Sequence, residues 1–209
     1  MFVKFCGFTK PEDVEAACLL GISACGFIFY QQSKRFCNLS DAVQCIAICK
    51  KHGVMSVGVF VDNDPLSILS LAGAVKLDVI QIYTIELYHE LSPHYSIIFA
   101  LRVSKNFSFH TIPVIHTKDI YLFDTYDTAS FGGTGKPFDW NSIAGFKHIQ
   151  RTIIAGGLNS STIPMLCSVV QPFGIDISTG IEDKPGIKNI NKMHAIIQTI
   201  KELGYDISR

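Results

Sequence analysis

Phe2-Val3-Lys4-Phe5-Cys6-Gly7-Phe8-Thr9-Lys10-Pro11-Glu12 is the stretch that decides the fold. Its first five residues read as a short, mostly apolar strand that runs out at Cys6. A helix start follows directly: Thr9 can cap the backbone, Glu12 three residues on can reach back, and Pro11 suits the first turn. A thiol on the last residue of a strand, facing a loop and a helix N-terminus, sits where α/β proteins keep their chemistry.

Outward from this unit the same alternation continues to the end of the chain. Further apolar strand-like runs fall at about 24–30, 54–61, 78–82, 96–103, 119–124, 152–155 and 174–178. Helical segments are expected at about 10–20, 40–51, 65–73, 85–91, 140–147, 160–170 and 188–203, with the stretch after the fifth strand poorly defined. Eight strands alternating with helices in 209 residues predict a compact (β/α)8 TIM barrel with a parallel sheet. No Pro-, Ser- or Gly-rich linker breaks the chain, so residues 1–209 read as a single domain. A doubly wound open sheet is the rival, but the segment after Cys6 lacks the Gly-rich turn of a dinucleotide site.

Strand alternation then assigns faces. Lys4 and Cys6 share one side of the first strand, opposite Val3 and Phe5. In the sixth strand Leu122 and Asp124 share a side, opposite Tyr121 and Phe123. The aromatics are expected beneath the helices, and Cys6 and Asp124 over the barrel mouth.

Composition narrows the function. Charged residues are only 17% of the chain against 48% apolar, as a sheet covered on both faces requires. Lys+Arg and Asp+Glu balance at 18 each, which leaves no electrostatic footprint for nucleic acid or an anionic membrane. The apolar run Ala24–Tyr30 is far shorter than a membrane span, and the N-terminus lacks a signal-peptide core. Seven irregularly spaced cysteines read as reduced thiols of a cytoplasmic protein. Cys45 and Cys49 share a helical face, but no second Cys/His pair with ligand spacing accompanies them, so no metal is expected. The histidines, His89, His94, His110 and His116 among them, receive no role.

Four loop-edge segments hold polar residues that an active face would use. Cys6 is the first. Arg35, in Ser33-Lys34-Arg35-Phe36 just past the second strand, can grip a carboxylate with two parallel hydrogen bonds. Asp124 ends the sixth strand and precedes the glycine-rich Phe131-Gly132-Gly133-Thr134-Gly135-Lys136-Pro137, read as a flap, with Asp139 capping the next helix. Last come Gly156-Gly157 and Ser178-Thr179-Gly180, after strands seven and eight, where such barrels commonly cradle phosphate with backbone N–H groups.

Together these elements resemble the phosphoribosylanthranilate isomerase family. The likeness rests on Lys4-Phe5-Cys6-Gly7-Phe8-Thr9, Gly26-Phe27-Ile28-Phe29-Tyr30 with Ser33-Lys34-Arg35, Val57-Gly58-Val59-Phe60-Val61 and Phe123-Asp124-Thr125. It continues through Gly132–Trp140, Ala155-Gly156-Gly157-Leu158 and Asp176–Glu182 with Pro185-Gly186, and so spans nearly the whole chain. The resemblance implies a cofactor-free Amadori rearrangement of an aminoaldose phosphate in tryptophan biosynthesis. It implies Asp124 as general acid, Cys6 as general base, Arg35 on the substrate's carboxylate, and Gly156, Gly157, Ser178, Thr179 and Gly180 on its phosphate. A small phosphorylated substrate, no cofactor, no nucleic-acid or membrane partner and a monomer are the accompanying expectations.

The roles set electrostatic demands. A thiol base needs its thiolate favoured, and a carboxyl acid must be kept protonated; across one mouth the two groups can push each other's pKa values apart. The chain also departs from the family. Ile80-Gln81-Ile82-Tyr83-Thr84 stands where the family usually has Val-Gln-Leu-His-Gly, Phe99-Ala100 replaces Lys-Ala, and Gln31-Gln32 replaces a Pro-rich loop. Two alternatives are weighed. The histidine-pathway aminoaldose isomerases carry aspartate at the end of strand one and two-fold repetition, neither of which is present. A degenerate barrel that binds an anion without catalysis is favoured only by Tyr83 and Thr84.

Overall fold

The computed structural model describes residues 1–104, 107–108, 112–125 and 138–208. Eight parallel strands close into a barrel in chain order: β1 (Phe2–Cys6), β2 (Ala24–Ile28), β3 (Met55–Val59), β4 (Val79–Ile82), β5 (Ser96–Val103), β6 (Ile120–Thr125), β7 (Thr152–Ile154) and β8 (Gly174–Ile177). β8 returns to pair with β1, so no strand edge is left open. The strands fall within a few residues of the sequence expectation. Among the described residues six α-helices surround them: α1 (Pro11–Leu19), α2 (Leu39–His52), α3 (Pro65–Val75), α4 (Ile85–Leu91), α5 (Thr162–Val169) and α6 (Ile190–Glu202). A small antiparallel hairpin, β9 (Glu182–Lys184) and β10 (Ile187–Lys188), follows β8.

The period-two pattern sorts the core into two shells. Phe2, Ala24, Val57, Ile98, Ala100, Leu122 and Ile153 fill the barrel interior. Val3, Phe5, Cys25, Phe27, Tyr121 and Phe123 point outward into the layer beneath the helices. Each fully buried aromatic or branched side chain contributes about 1.5–3 kcal/mol, and the outer layer holds most of them. The inner shell reaches only part of the way up. Above it, in register, stand the polar residues Lys4 opposite Asp176 and Arg102 opposite Asp124.

Two local expectations need correction. Thr9 does not cap α1: its N-cap is Lys10, without a side-chain capping bond, and Pro11 occupies the first turn. The Thr9 hydroxyl instead donates to the Gly186 carbonyl at 2.8 Å, so a tertiary bond to the β9–β10 turn has taken the capping group. The helix expected over 140–147 is a single 3-10 turn, Trp140–Ile143, with a second at Ile149–Arg151. Asp139 caps the first through the Asn141 N–H, and Gly145 follows it, a poor residue for continuing a helix. The proposed flap at Phe131–Pro137 lies outside the described residues, as does His110.

Candidate active site

A cleft partly open to solvent sits at the C-terminal mouth of the barrel and encloses about 570 Å³ with that open solvent included. Cys6, Arg35, Tyr83, Asp124, Gly156, Gly157, Ser178 and Thr179 all line it. The residues come from β1, from the loops after β2, β4, β7 and β8, and from β6, which only barrel closure can gather. Gly180 is not at the wall. A Cβ there would lie 2.0 Å from the Leu158 carbonyl oxygen, so Gly180 lets the β8 loop pack against the β7 loop. Gly156 has φ +86° and an added Cβ would meet the Thr125 hydroxyl at 2.1 Å, so glycine alone fits that turn.

Cys6 is buried and points inward beside Gly26, its register partner on β2. A side chain at Gly26 would reach within 2.6 Å of the thiol. Two cations stand close. Lys4, fully buried one inward position below, donates to Asp176 at 2.8 Å, and its charge favours the Cys6 thiolate. Lys188 donates to the Cys6 backbone carbonyl. Burial would depress the Lys4 ammonium, but Asp176 and Cys6 outweigh it and hold it above the ordinary lysine range. For the Cys6 thiol the balance goes the other way. Burial raises its pKa more than Lys4 lowers it, and Asp176 adds to the rise. Desolvation at the Cys6 thiol thus exceeds the nearby positive charge.

Asp124 answers the demand made of an acid. Burial, then the charge of Asp176, pushes its carboxyl up to about 6, despite an accepted bond from the Thr125 N–H at 2.8 Å and the pull of Lys4 and Arg102. Tyr83 hydrogen-bonds to the Gln81 side chain at 3.2 Å and lies under the Arg102 guanidinium, 5.3 Å from ring centre to Cζ.

Arg35 is engaged more fully than its position in the sequence implies. Its Nε donates to both carboxylate oxygens of Glu182 at 2.9 and 3.0 Å, and Nη2 donates to Oε2 at 2.8 Å. One edge of the fork is thus closed by the protein, and the Nη1 side is what remains for a ligand. Glu182 is itself held by Lys188 at 2.7 Å and by the Gly186 N–H. Burial raises the Glu182 pKa, but Arg35 and Lys188 outweigh it and keep the carboxyl below its usual range.

Sequence reasoning placed Lys4 on the face of Cys6 but gave it no role, and gave none to Asp176, Gln81, Glu182 or Lys188. For Lys4, Gln81 and Asp176 the available signal was a charged or amide residue at an inward position of an otherwise apolar strand; Glu182 and Lys188 lie on the β9–β10 hairpin and offered none. Buried Gln81 Oε1, Asp176 Oδ1 and Ser178 Oγ have no hydrogen-bond partner among the described residues, and all three residues line the cavity. Buried polar atoms rarely stay unpaired in a ligand-free protein without a functional reason. The arrangement offers one carboxyl with its pKa pushed up to about 6, one thiol near two cations, and glycine loops with acceptors around one cavity.

The comparisons with known proteins agree with this geometry. The family model described as N-(5'phosphoribosyl)anthranilate (PRA) isomerase matches residues 3–199. N-(5'-phosphoribosyl)anthranilate isomerase of Thermotoga maritima is 33% identical over 211 residues, covering 96% of this chain and 98% of that protein. The crystal structure of the Thermotoga maritima enzyme superposes with a TM-score of 0.82 at 31% identity, over 97% of this chain and 99% of that one. A phosphoribosyl anthranilate isomerase in complex with reduced 1-(o-carboxyphenylamino)-1-deoxyribulose 5-phosphate gives a TM-score of 0.79 at 29% identity, over 97% and 99%. By sequence and by fold, the chain belongs to the N-(5'-phosphoribosyl)anthranilate isomerase family.

Proposed function

We propose that this isomerase rearranges N-(5'-phosphoribosyl)anthranilate by cofactor-free general acid–base catalysis, with Asp124 as the acid and Cys6 as the base. Asp124 protonates the ribose ring oxygen as its bond to C1 breaks, leaving an iminium. The Cys6 thiolate then takes the C2 proton, and the enolamine that results becomes the aminoketose, 1-(2-carboxyphenylamino)-1-deoxyribulose 5-phosphate. No covalent bond forms between Cys6 and substrate. Lys4 balances the thiolate's charge when it forms, and a thiol with a raised pKa is a stronger base once ionised.

The substrate's two anionic ends fit opposite sides of the cavity. Arg35 takes the anthranilate carboxylate through its Nη1 side, with the other edge fixed on Glu182. Gly156, Gly157, Ser178 and Thr179 take the phosphate through backbone N–H groups and hydroxyls, and Gly180 keeps the two loops in contact. Asp176 Oδ1 and Gln81 Oε1 are free to accept from sugar hydroxyls. One closed barrel gathers the acid, the base, the carboxylate clamp and the glycine loops, which supports residues 1–209 acting as one domain, with a monomer as the catalytic unit. The seven unpaired thiols fit a reducing cytoplasm, and no described helix is long and apolar enough to cross a membrane.

The observation that carries the reading is the buried Asp124 carboxyl and the Cys6 thiol on one cavity, with the glycine loops beside them. The test is the fluorescence decay of phosphoribosylanthranilate with purified protein. Decay should be first order with a rate proportional to protein, and the histidine-pathway aminoaldose should not turn over. Absence of decay, with the product still bound, would favour the degenerate barrel instead.

A further inference from the structure

Three cysteines that take no part in the site meet on the far side of the barrel wall. Cys18 lies at the end of α1, Cys25 on the outward face of β2, and Cys49 in the last turns of α2. Their sulfur atoms all lie within 4.8 Å of one another, and all three residues are buried. From sequence only Cys45 with Cys49 is considered, and no metal is expected. Cys45, one turn earlier on α2, is outside the group. Three sulfur atoms at that spacing face a common centre. Each is fixed by its element: the Cys49 carbonyl accepts from the Val54 N–H, and Cys25 is locked in the β2–β3 ladder opposite Ser56.

We propose that Cys18, Cys25 and Cys49 form a trigonal thiolate site for a soft monovalent ion, copper(I). A planar three-sulfur site with metal–sulfur bonds of about 2.3 Å spaces its sulfurs about 4 Å apart, which small side-chain rotations here supply. Soft thiolates select copper(I) among the common metals. Zinc is disfavoured, because it takes four ligands and no fourth Cys, His or carboxylate atom joins the group among the described residues. Binding is not a redox step. Copper enters as copper(I), two S–H bonds break and release two protons to solvent, and the third sulfur binds through a lone pair. The partly exposed Glu15–His52 pair joins α1 to α2 at 2.9 Å, one turn from Cys18 and Cys49.

The experiment is an anaerobic competition of the reduced, full-length protein against a copper(I) chelator, bathocuproine disulfonate. One copper per chain should be withheld, with two protons released in weak buffer. Cys25→Ser and Cys49→Ser should lose that copper, while Cys6→Ser, Cys45→Ser and Cys167→Ser keep it. Copper-edge X-ray absorption on the loaded wild-type protein should read three sulfur neighbours at about 2.3 Å, a measurement that does not depend on any variant folding. Copper retained by Cys25→Ser or Cys49→Ser would overturn the site, as would nitrogen or oxygen neighbours or no copper withheld at all. Zinc(II) offered in the same competition should stay with its chelator. Zinc bound through the same cysteines would overturn the choice of ion.

Discussion

At the scale of single residues, Cys6 and Asp124 ionise in the reverse of the order their roles suggest. Burial holds the Cys6 thiol above its ordinary range, whereas Asp124 titrates at about 6. The pair that must coexist, thiolate with carboxylic acid, is then a minor form of the free enzyme. Its share is constant between the two pKa values. It falls below about pH 6 as the thiolate is lost, and again once the pH passes that of the thiol. The profile of kcat/KM should therefore stay level from about pH 6 through neutrality into the alkaline thiol range. The alkaline side discriminates, because the substrate's phosphate also titrates near 6. A decline that begins at pH 6 and continues upward would mean that Cys6 ionises first.

At the scale of elements, the β9–β10 hairpin is more than a connection. It delivers Glu182 to Arg35 and Lys188 to both Glu182 and the carbonyl of Cys6, and it takes the Thr9 hydroxyl through Gly186. One carboxylate thereby sets the aim of the carboxylate clamp and braces the strand end that carries the base. Glu182→Gln leaves two buried cations without their anion. It should cost about 3–5 kcal/mol in chemical denaturation and raise KM more than it lowers kcat. An unchanged KM would show that Arg35 needs no such support. None of this was legible in sequence, since Arg35 and Glu182 lie 147 positions apart and neither stands in a periodic run. The strands were legible because alternation is local. Lys4 with Cys6 and Leu122 with Asp124 fall on the inward faces that parity assigns them. The α1 cap was misread because a capping box is also local, and a distant backbone carbonyl competed for Thr9.

At the scale of the whole molecule, closure of the barrel concentrates charge in a chain otherwise poor in it. The inner shell is apolar, and Lys4, Asp176, Arg102 and Asp124 stand above it toward the mouth. The cost is paid in stability. Asp124 has a folded pKa near 6, raised above an unfolded value near 3.9, so folding favours its neutral form. Its penalty is absent below about pH 4, grows as the pH rises to about 6, and is complete above that. Asp124→Asn should therefore be more stable than wild type at pH 7, by about 1–3 kcal/mol, and no more stable at pH 4. Equal denaturation midpoints for the two proteins at pH 7 would contradict it. The architecture was readable from eight repeats of one βα unit. The energetics of the mouth were not, because they depend on which charges closure brings face to face.

The most direct measurement compares turnover with binding in Cys6→Ser and Asp124→Asn. Each should lose about 10²–10⁴-fold in kcat while binding the reduced product analogue within a few-fold of wild type. Near-normal turnover from either variant would contradict the assignment of Cys6 as base and Asp124 as acid.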